Sequence, residues 1–310
     1  MRDIAVISGA AIHEELAERD EVELIHAVVS QALAGAGPAA DRIGFVCSGS
    51  CDMLIGRPFS FVQGLDGIAA WPPIRESHVE MDGAWALYEA WTRLQLGDID
   101  AALVYGFGRA SAGSLKDVSV LQLDPYTLAP LWPDSDVLAG LQVSAMQNSG
   151  RFGDMASVSP LPVTDGAAAV VLAAGDLVRQ CCDRPAWIEA IDHRIEPAEL
   201  GVRNLATSRS TRVCVKAMDV AWDTIDCAAL HTRYEHERLL LMETVLEEGA
   251  ASILPATNTP MVTGLSNIAE IAERITDGRS DRGVAHATSG PCLQQNLLCV
   301  LAADDYEGAA

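Results

Sequence analysis

The run DGAAAVVLAA at residues 165–174 has no polar side chain after its first residue. It is far too short to cross a bilayer, which takes about 20 apolar residues. It is also too unbroken for a strand with one face in water, where apolar and polar residues alternate. It fits a strand covered on both faces, so the chain must place helices on both sides of its sheet.

The rest of the chain repeats that arrangement. DIAVISGA (3–10) reads as a strand, DEVELIHAVVSQALAGAG (20–37) as an amphipathic helix ended by glycine, and RIGFVCSGS (42–50) as a second strand. A helical piece near 59–71, a strand at 75–82, a helix at 83–98 and a strand at 101–109 follow. Residues 110–163 break the rhythm and read as an inserted loop region with one or two short helices. After the buried strand, the order returns: strand 186–196, helix 207–221, strand 226–233, helix 235–249, helix 261–278, then strands 282–290 and 297–305. The alternation predicts an α/β protein with a mostly parallel sheet. It divides into an N-terminal half over 1–176, carrying the insertion at about 110–163, and a C-terminal half over 177–310. The tail DYEGAA reads as frayed.

Composition removes several classes of function. A formal charge of −22 argues against nucleic acid and anionic membranes as partners, because like charges repel. The eight cysteines show neither a C-x-x-C pair nor a Cys/His zinc spacing, so no metal site and no disulfide framework is indicated. No apolar stretch is long enough for a membrane span, and MRDIAVISGA begins as a strand rather than a leader, so a cytoplasmic location is expected.

The stretch SHVEMDGAWALYEAW (77–91) places Glu80 and Asp82 where a strand passes into a helix. Asp82 suits the N-cap of a helix starting at Gly83, since its carboxylate can accept from the first free N–H groups. The same helix end favours negative charge, so Glu80 or Asp82 could instead serve as a general base or orient one.

Three segments, SPLPVTDGAAAVVLA (159–173), IDCAALHTRYEHERLLLMETVLEEG (225–249) and ILPATNTPMVTGLSNIAEIAERI (253–275), resemble in this order the thiolase superfamily. The resemblance is to thiolase-like lipid-transfer proteins related to the sterol carrier protein thiolases, and it spans nearly the whole chain. It implies two pseudo-equivalent βαβαβ halves forming a layered α/β/α/β/α core.

The departures from that family are as informative. Its nucleophilic cysteine stands three residues before a glycine; the matching glycine is Gly83, which puts the position at Glu80. The Gly-His-Pro histidine corresponds to Thr259, the paired glycines to Thr257 and Asn258, and a second cysteine to Thr288, with Cys292 four residues on. Cys292 reads either as a structural thiol or as part of the same pocket. His231 is retained, just after a strand at the mouth of the sheet, where ligands of α/β folds bind. Tyr234 could donate to an oxyanion or sit at an interface, and His286, His78 and His236 are weaker candidates.

Without a thiolate, conventional thiolysis is not expected. A retro-aldol cleavage needs only a base for the β-hydroxyl proton and stabilisation of a thioester enolate. The resemblance implies a CoA thioester as substrate, carrying a bulky acyl group of the kind met in actinobacterial steroid side-chain degradation, with no covalently bound cofactor. It also implies a homo- or heterodimer with a thiolase-like subunit, and a partner combining a zinc ribbon with an OB-fold. His231 or Asp82 would be the base, Tyr234 would hold the enolate oxygen, and Cys292, Asn258, Thr259 and Thr288 would line the substrate site. The alternatives are a non-catalytic structural subunit of a heteromer, an acyl or lipid carrier, and an acyltransferase.

Overall fold

The computed structural model describes residues 2–69, 75–246 and 251–303. The first half contains β1 (Ile4–Glu14), α1 (Glu21–Gly35), β2 (Ile43–Gly49), α2 (Asp52–Ile55), α3 (Ser60–Gly67), β3 (Glu76–Val79), α4 (Gly83–Leu96) and β4 (Ala101–Gly108). The insertion carries α5 (Leu115–Leu121) and α6 (Ser135–Asn148), and β5 (Asp165–Ala174) closes this half. The second half runs α7 (Asp176–Cys181), β6 (Ala186–Ile195), α8 (Arg209–Ala217), β7 (Cys227–Ala229), α9 (Glu235–Val245), β8 (Ser252–Ile253), α10 (Thr263–Thr276), β9 (Arg282–Ser289) and β10 (Gln295–Ala302).

The described strands form one sheet in the order β3-β2-β4-β5-β1-β6-β10-β9-β7-β8. Its two five-strand parts repeat one pattern. In each, two parallel pairings (β3-β2-β4, then β8-β7-β9) are followed by antiparallel ones through β5 and β10 to β1 and β6. The parts join where Ala5 and Val6 pair with Trp187 and Ala186. The sheet is therefore mixed and not mostly parallel. Apolar runs carry no record of strand direction, and β10 reverses through a short connection from β9, which only an antiparallel pair allows.

Alternate residues of β5 enter different cores, as a strand buried on both faces requires. Val170 and Leu172 meet α4 and α10, whereas Val171 and Ala173 meet α1 and α7. Strand β10 does the same, sending Leu297, Cys299 and Leu301 into the core with α4 and α10, and Leu298 and Val300 into the one formed with α8 and α9. Helix α10 thus packs against strands of both parts, while α4 packs on strands of the first part and meets β6 through the Tyr88 and His193 rings.

Two glycines make the close approach of α4 and α10 possible. A Cβ on Gly83 would lie 2.8 Å from a methyl of Leu265, and one on Gly264 would lie 2.6 Å from Asp82 Oδ1 and 3.0 Å from the Ala84 Cβ. The Gly83 N–H then donates to the Met261 carbonyl at 3.0 Å, joining the start of α4 to the turn before α10.

Several boundaries differ from expectation. The predicted helix 207–221 contracts to α8, the predicted strand 226–233 to the three residues of β7, and the insertion holds a helix as long as α4. Parts of the predicted helices 59–71 and 235–249, the end of the predicted strand 297–305 and the tail DYEGAA lie outside the described residues. Among the described residues no helix is long and apolar enough to cross a membrane.

Candidate functional site

A cleft of about 170 Å³ opens beside the ends of β7 and β9, where the turn before α10 meets the insertion. Asp82, His231, Tyr234, Asn258 and Thr288 line it. A second chamber of about 370 Å³ adjoins it, sharing Arg233, Tyr234, Ser289 and Gly290, and contains Glu80 and Cys292. The sequence candidates therefore divide between two connected spaces. Thr259 lines neither: its hydroxyl is bonded to His13 Nδ1 at 2.6 Å and to the Thr164 hydroxyl at 2.5 Å.

Asp82 is only 2% exposed. Its Oδ1 accepts from Ala84 N at 2.9 Å and Leu265 N at 3.1 Å, and its Oδ2 accepts from Gly264 N at 3.0 Å. One carboxylate thus caps both α4 and α10, satisfying donors that helices otherwise leave free. Burial pushes its pKa up to about 6, and the three N–H bonds pull in the other direction. Both oxygens are committed to backbone, so the geometry of Asp82 is that of a cap. Glu80 is half-exposed; its carboxylate accepts from Asp52 N and lies 3.2 Å from His78 Nε2.

His231 stands two residues beyond β7 and is 5% exposed. Its Nδ1 accepts from Thr288 N, on β9, at 3.4 Å. Burial, reinforced by His286 and Arg233, holds its pKa well below the ordinary histidine value. A neutral ring that accepts at Nδ1 carries its proton on Nε2. In this tautomer His231 offers an Nε2–H on the wall of the cleft.

Behind it, buried His286 bonds Asn296 Oδ1 through Nε2 at 2.9 Å, and burial lowers its pKa to about 4. Since Asn296 Nδ2 donates to Ser210 and Leu293, its oxygen is the atom left for His286, which is thus also neutral and protonated on Nε2.

Tyr234 precedes α9, its backbone fixed by Glu237, whose carboxylate accepts from Arg233 N at 2.7 Å and Tyr234 N at 3.3 Å. Its hydroxyl donates to Asp136 Oδ1 at 2.9 Å, and burial followed by that carboxylate raises its pKa. Asn258 donates through Nδ2 to the Leu161 carbonyl at 3.3 Å. The Cys292 thiol faces the Leu138 carbonyl at 3.4 Å in the larger chamber, and burial pushes its pKa up to about 11. Cys47, Cys51, Cys214, Cys227 and Cys299 are likewise raised by burial. Thiols raised by burial carry little thiolate at neutral pH.

Two residues of the site escape sequence reasoning. Asp136 and Gln142 belong to the insertion, which reads as loop because of its prolines. A signal was present: Asp134 follows Pro133 and caps α6 by accepting from Val137 N. Ser135, Leu138, Ala139 and Gln142 then recur at one-face helical spacing and line the larger chamber. Among the described residues no group of three or more His, Cys, Asp or Glu side chains is arranged to hold a metal ion.

No protein-family model matches the sequence, and no curated protein matches it.

Proposed function

We propose that this chain is a thiolase-like subunit acting on a β-hydroxyacyl-CoA by retro-aldol carbon–carbon cleavage, without a covalent acyl-enzyme. The repeated five-strand pattern, and α10 packed against strands of both parts, support the family reading. The observation that carries the chemistry is neutral His231, presenting an N–H donor to a cleft that no activated thiol lines.

The thioester carbonyl would lie against His231 Nε2–H. The β-hydroxyl would face Tyr234, which passes its own proton to Asp136 as it accepts one from the substrate. The Cα–Cβ electron pair then moves into the thioester enolate, whose oxygen His231 stabilises, and the β-carbon leaves as an aldehyde or ketone. Protonation of the enolate carbon from solvent gives the shortened acyl-CoA, and Asp136 returns its proton to solvent. A donor placed where negative charge develops is the main requirement, and a neutral histidine supplies it without a counter-charge.

A second reading has its own observation in favour. Glu80, at the family's nucleophile position, and Asp82 close by are both bonded to backbone N–H groups, which suits a structural subunit of a heteromer whose partner does the chemistry. We place the complex in the cytoplasm, with a thiolase-like subunit and a zinc-ribbon and OB-fold protein as partners.

The test is turnover of a β-hydroxyacyl-CoA by the complex purified from its own cells, comparing wild type with His231→Ala. Release of a shortened acyl-CoA that disappears in the folded, assembled variant supports the aldolase reading. Full activity in that variant would move the chemistry to another subunit and leave this chain as scaffold.

A further inference from the structure

The larger chamber contains a buried hydrogen-bonding group that the cleavage chemistry does not use. Gln142, on α6, is 1% exposed. One end of its carboxamide is fixed, with Oε1 lying 3.0 Å from His236 Nε2. The other end, Nε2, has no hydrogen-bond partner among the described residues, and Gln142 is part of the chamber wall. A buried amide left in this state costs about 1–3 kcal/mol, so it marks a place where a partner belongs.

The surroundings say what kind of partner. Met53, Met81, Leu123 and Leu138 supply apolar wall, and about 370 Å³ is enough for a branched or cyclic carbon skeleton. Among its described residues the chamber has no cation to spare: Arg233 pairs with Glu237 at 3.1 Å, and Glu80 adds a further carboxylate. Two further carboxamides on the wall have only sulfur acceptors, Gln122 with Cys51 at 3.1 Å and Gln295 with Met81 at 3.8 Å. Sulfur is a weak acceptor, so these amides also lose little by turning to an oxygen.

We propose that this chamber binds the part of the acyl group remote from the thioester, and that it selects uncharged skeletons bearing a hydroxyl or keto oxygen, with Gln142 as the specificity-determining residue. The proposal rests on the reading that the adjoining cleft holds the thioester. An all-hydrocarbon tail would leave the Gln142 amide unpaired, while a carboxylate would enter a site without a free positive charge.

The experiment is calorimetric titration of the protein with ω-hydroxyacyl-CoAs of six to twelve carbons, each against its unsubstituted acyl-CoA. The expected result is a preference of about 5- to 100-fold for at least one hydroxylated chain. In Gln142→Met that preference falls to within about twofold while plain-chain affinity is retained. Gln142→Glu, which keeps an acceptor for His236, provides a second folded background; titrated with ω-oxoacyl-CoAs of the same lengths, it loses the preference over plain chains that wild type shows. Equal binding of both series by wild type, or an undiminished preference in both variants, overturns the proposal.

Failure of the thioester reading looks different. If no CoA thioester binds, the wild-type protein is titrated with cyclohexanol and methylcyclohexane, followed through the Gln142 side-chain amide signal. A shift with cyclohexanol alone keeps the oxygen site and discards the thioester. No shift with either discards both.

Discussion

The two halves share a strand order but treat the polar groups at their strand ends in opposite ways. In the first half, Asp52, Glu80 and Asp82 are all bonded to backbone N–H groups, and Ser50 and Ser60 bond each other at 2.8 Å. In the second half, His231 keeps one nitrogen for the cleft, and Tyr234 is tied to exposed Asp136. One mouth has become joinery and the other keeps unspent hydrogen-bonding capacity. Chemistry follows the second kind, because a group already bonded to backbone must break that bond before it can serve a substrate.

This contrast can be tested from both sides. The largest effect is expected at His231, where His231→Ala lowers kcat by about 10²–10³ in steady-state turnover of a β-hydroxyacyl-CoA, the usual cost of one oxyanion donor. Tyr234→Phe follows, with a loss of about 10² in kcat and little change in thermal midpoint, since the ring is retained. Asp82→Ala acts on stability instead. Three backbone donors lose their acceptor, and urea unfolding should register about 2–4 kcal/mol, the sum expected for two lost caps.

Acid pH separates the two mouths further. Folded Asp82 keeps its proton to about pH 6, whereas the unfolded chain releases it near the ordinary aspartate value of 3.8. Between those values the folded state binds more protons, so the contribution of Asp82 falls as pH rises. For His286 the folded pKa of about 4 lies below the unfolded 6.5, so its contribution rises with pH across nearly the same window. The two oppose each other. Asp82→Asn removes the falling component, and its unfolding free energy should therefore climb more steeply than that of wild type between about pH 4 and 6. The smallest effect is expected at Cys292: Cys292→Ser should keep turnover within about threefold, and alkylation of the folded protein should spare this thiol. Abolished activity would instead make the raised, buried sulfur a participant.

The elements most legible in sequence were those whose burial is written locally. β5 matches its expected limits because a strand covered on both faces has to be apolar throughout. β7 does not, since only Cys227–Ala229 keeps ladder partners and the following residues turn into the cleft. Strand direction was not legible at all. Within the insertion, Pro125, Pro130 and Pro133 lie before α6 and do not interrupt it, so residues read as loop punctuation are partly the approach to a helix start. Asp82 could be read as the cap of α4 from the neighbouring Gly83, but its second helix could not. Gly264 is 182 residues away, and only the tertiary fold brings the two together.

That distance has a consequence for synthesis. While the ribosome has delivered only the first half, Asp82 can meet the Ala84 amide but not those of Gly264 and Leu265, which do not yet exist. The face of α4 destined for α10 is meanwhile uncovered. The first-made half therefore has to wait, with a carboxylate in water and an apolar helix exposed, until α10 emerges and encloses both, which makes this junction a point where a chaperone or a partner subunit has time to act on the nascent chain.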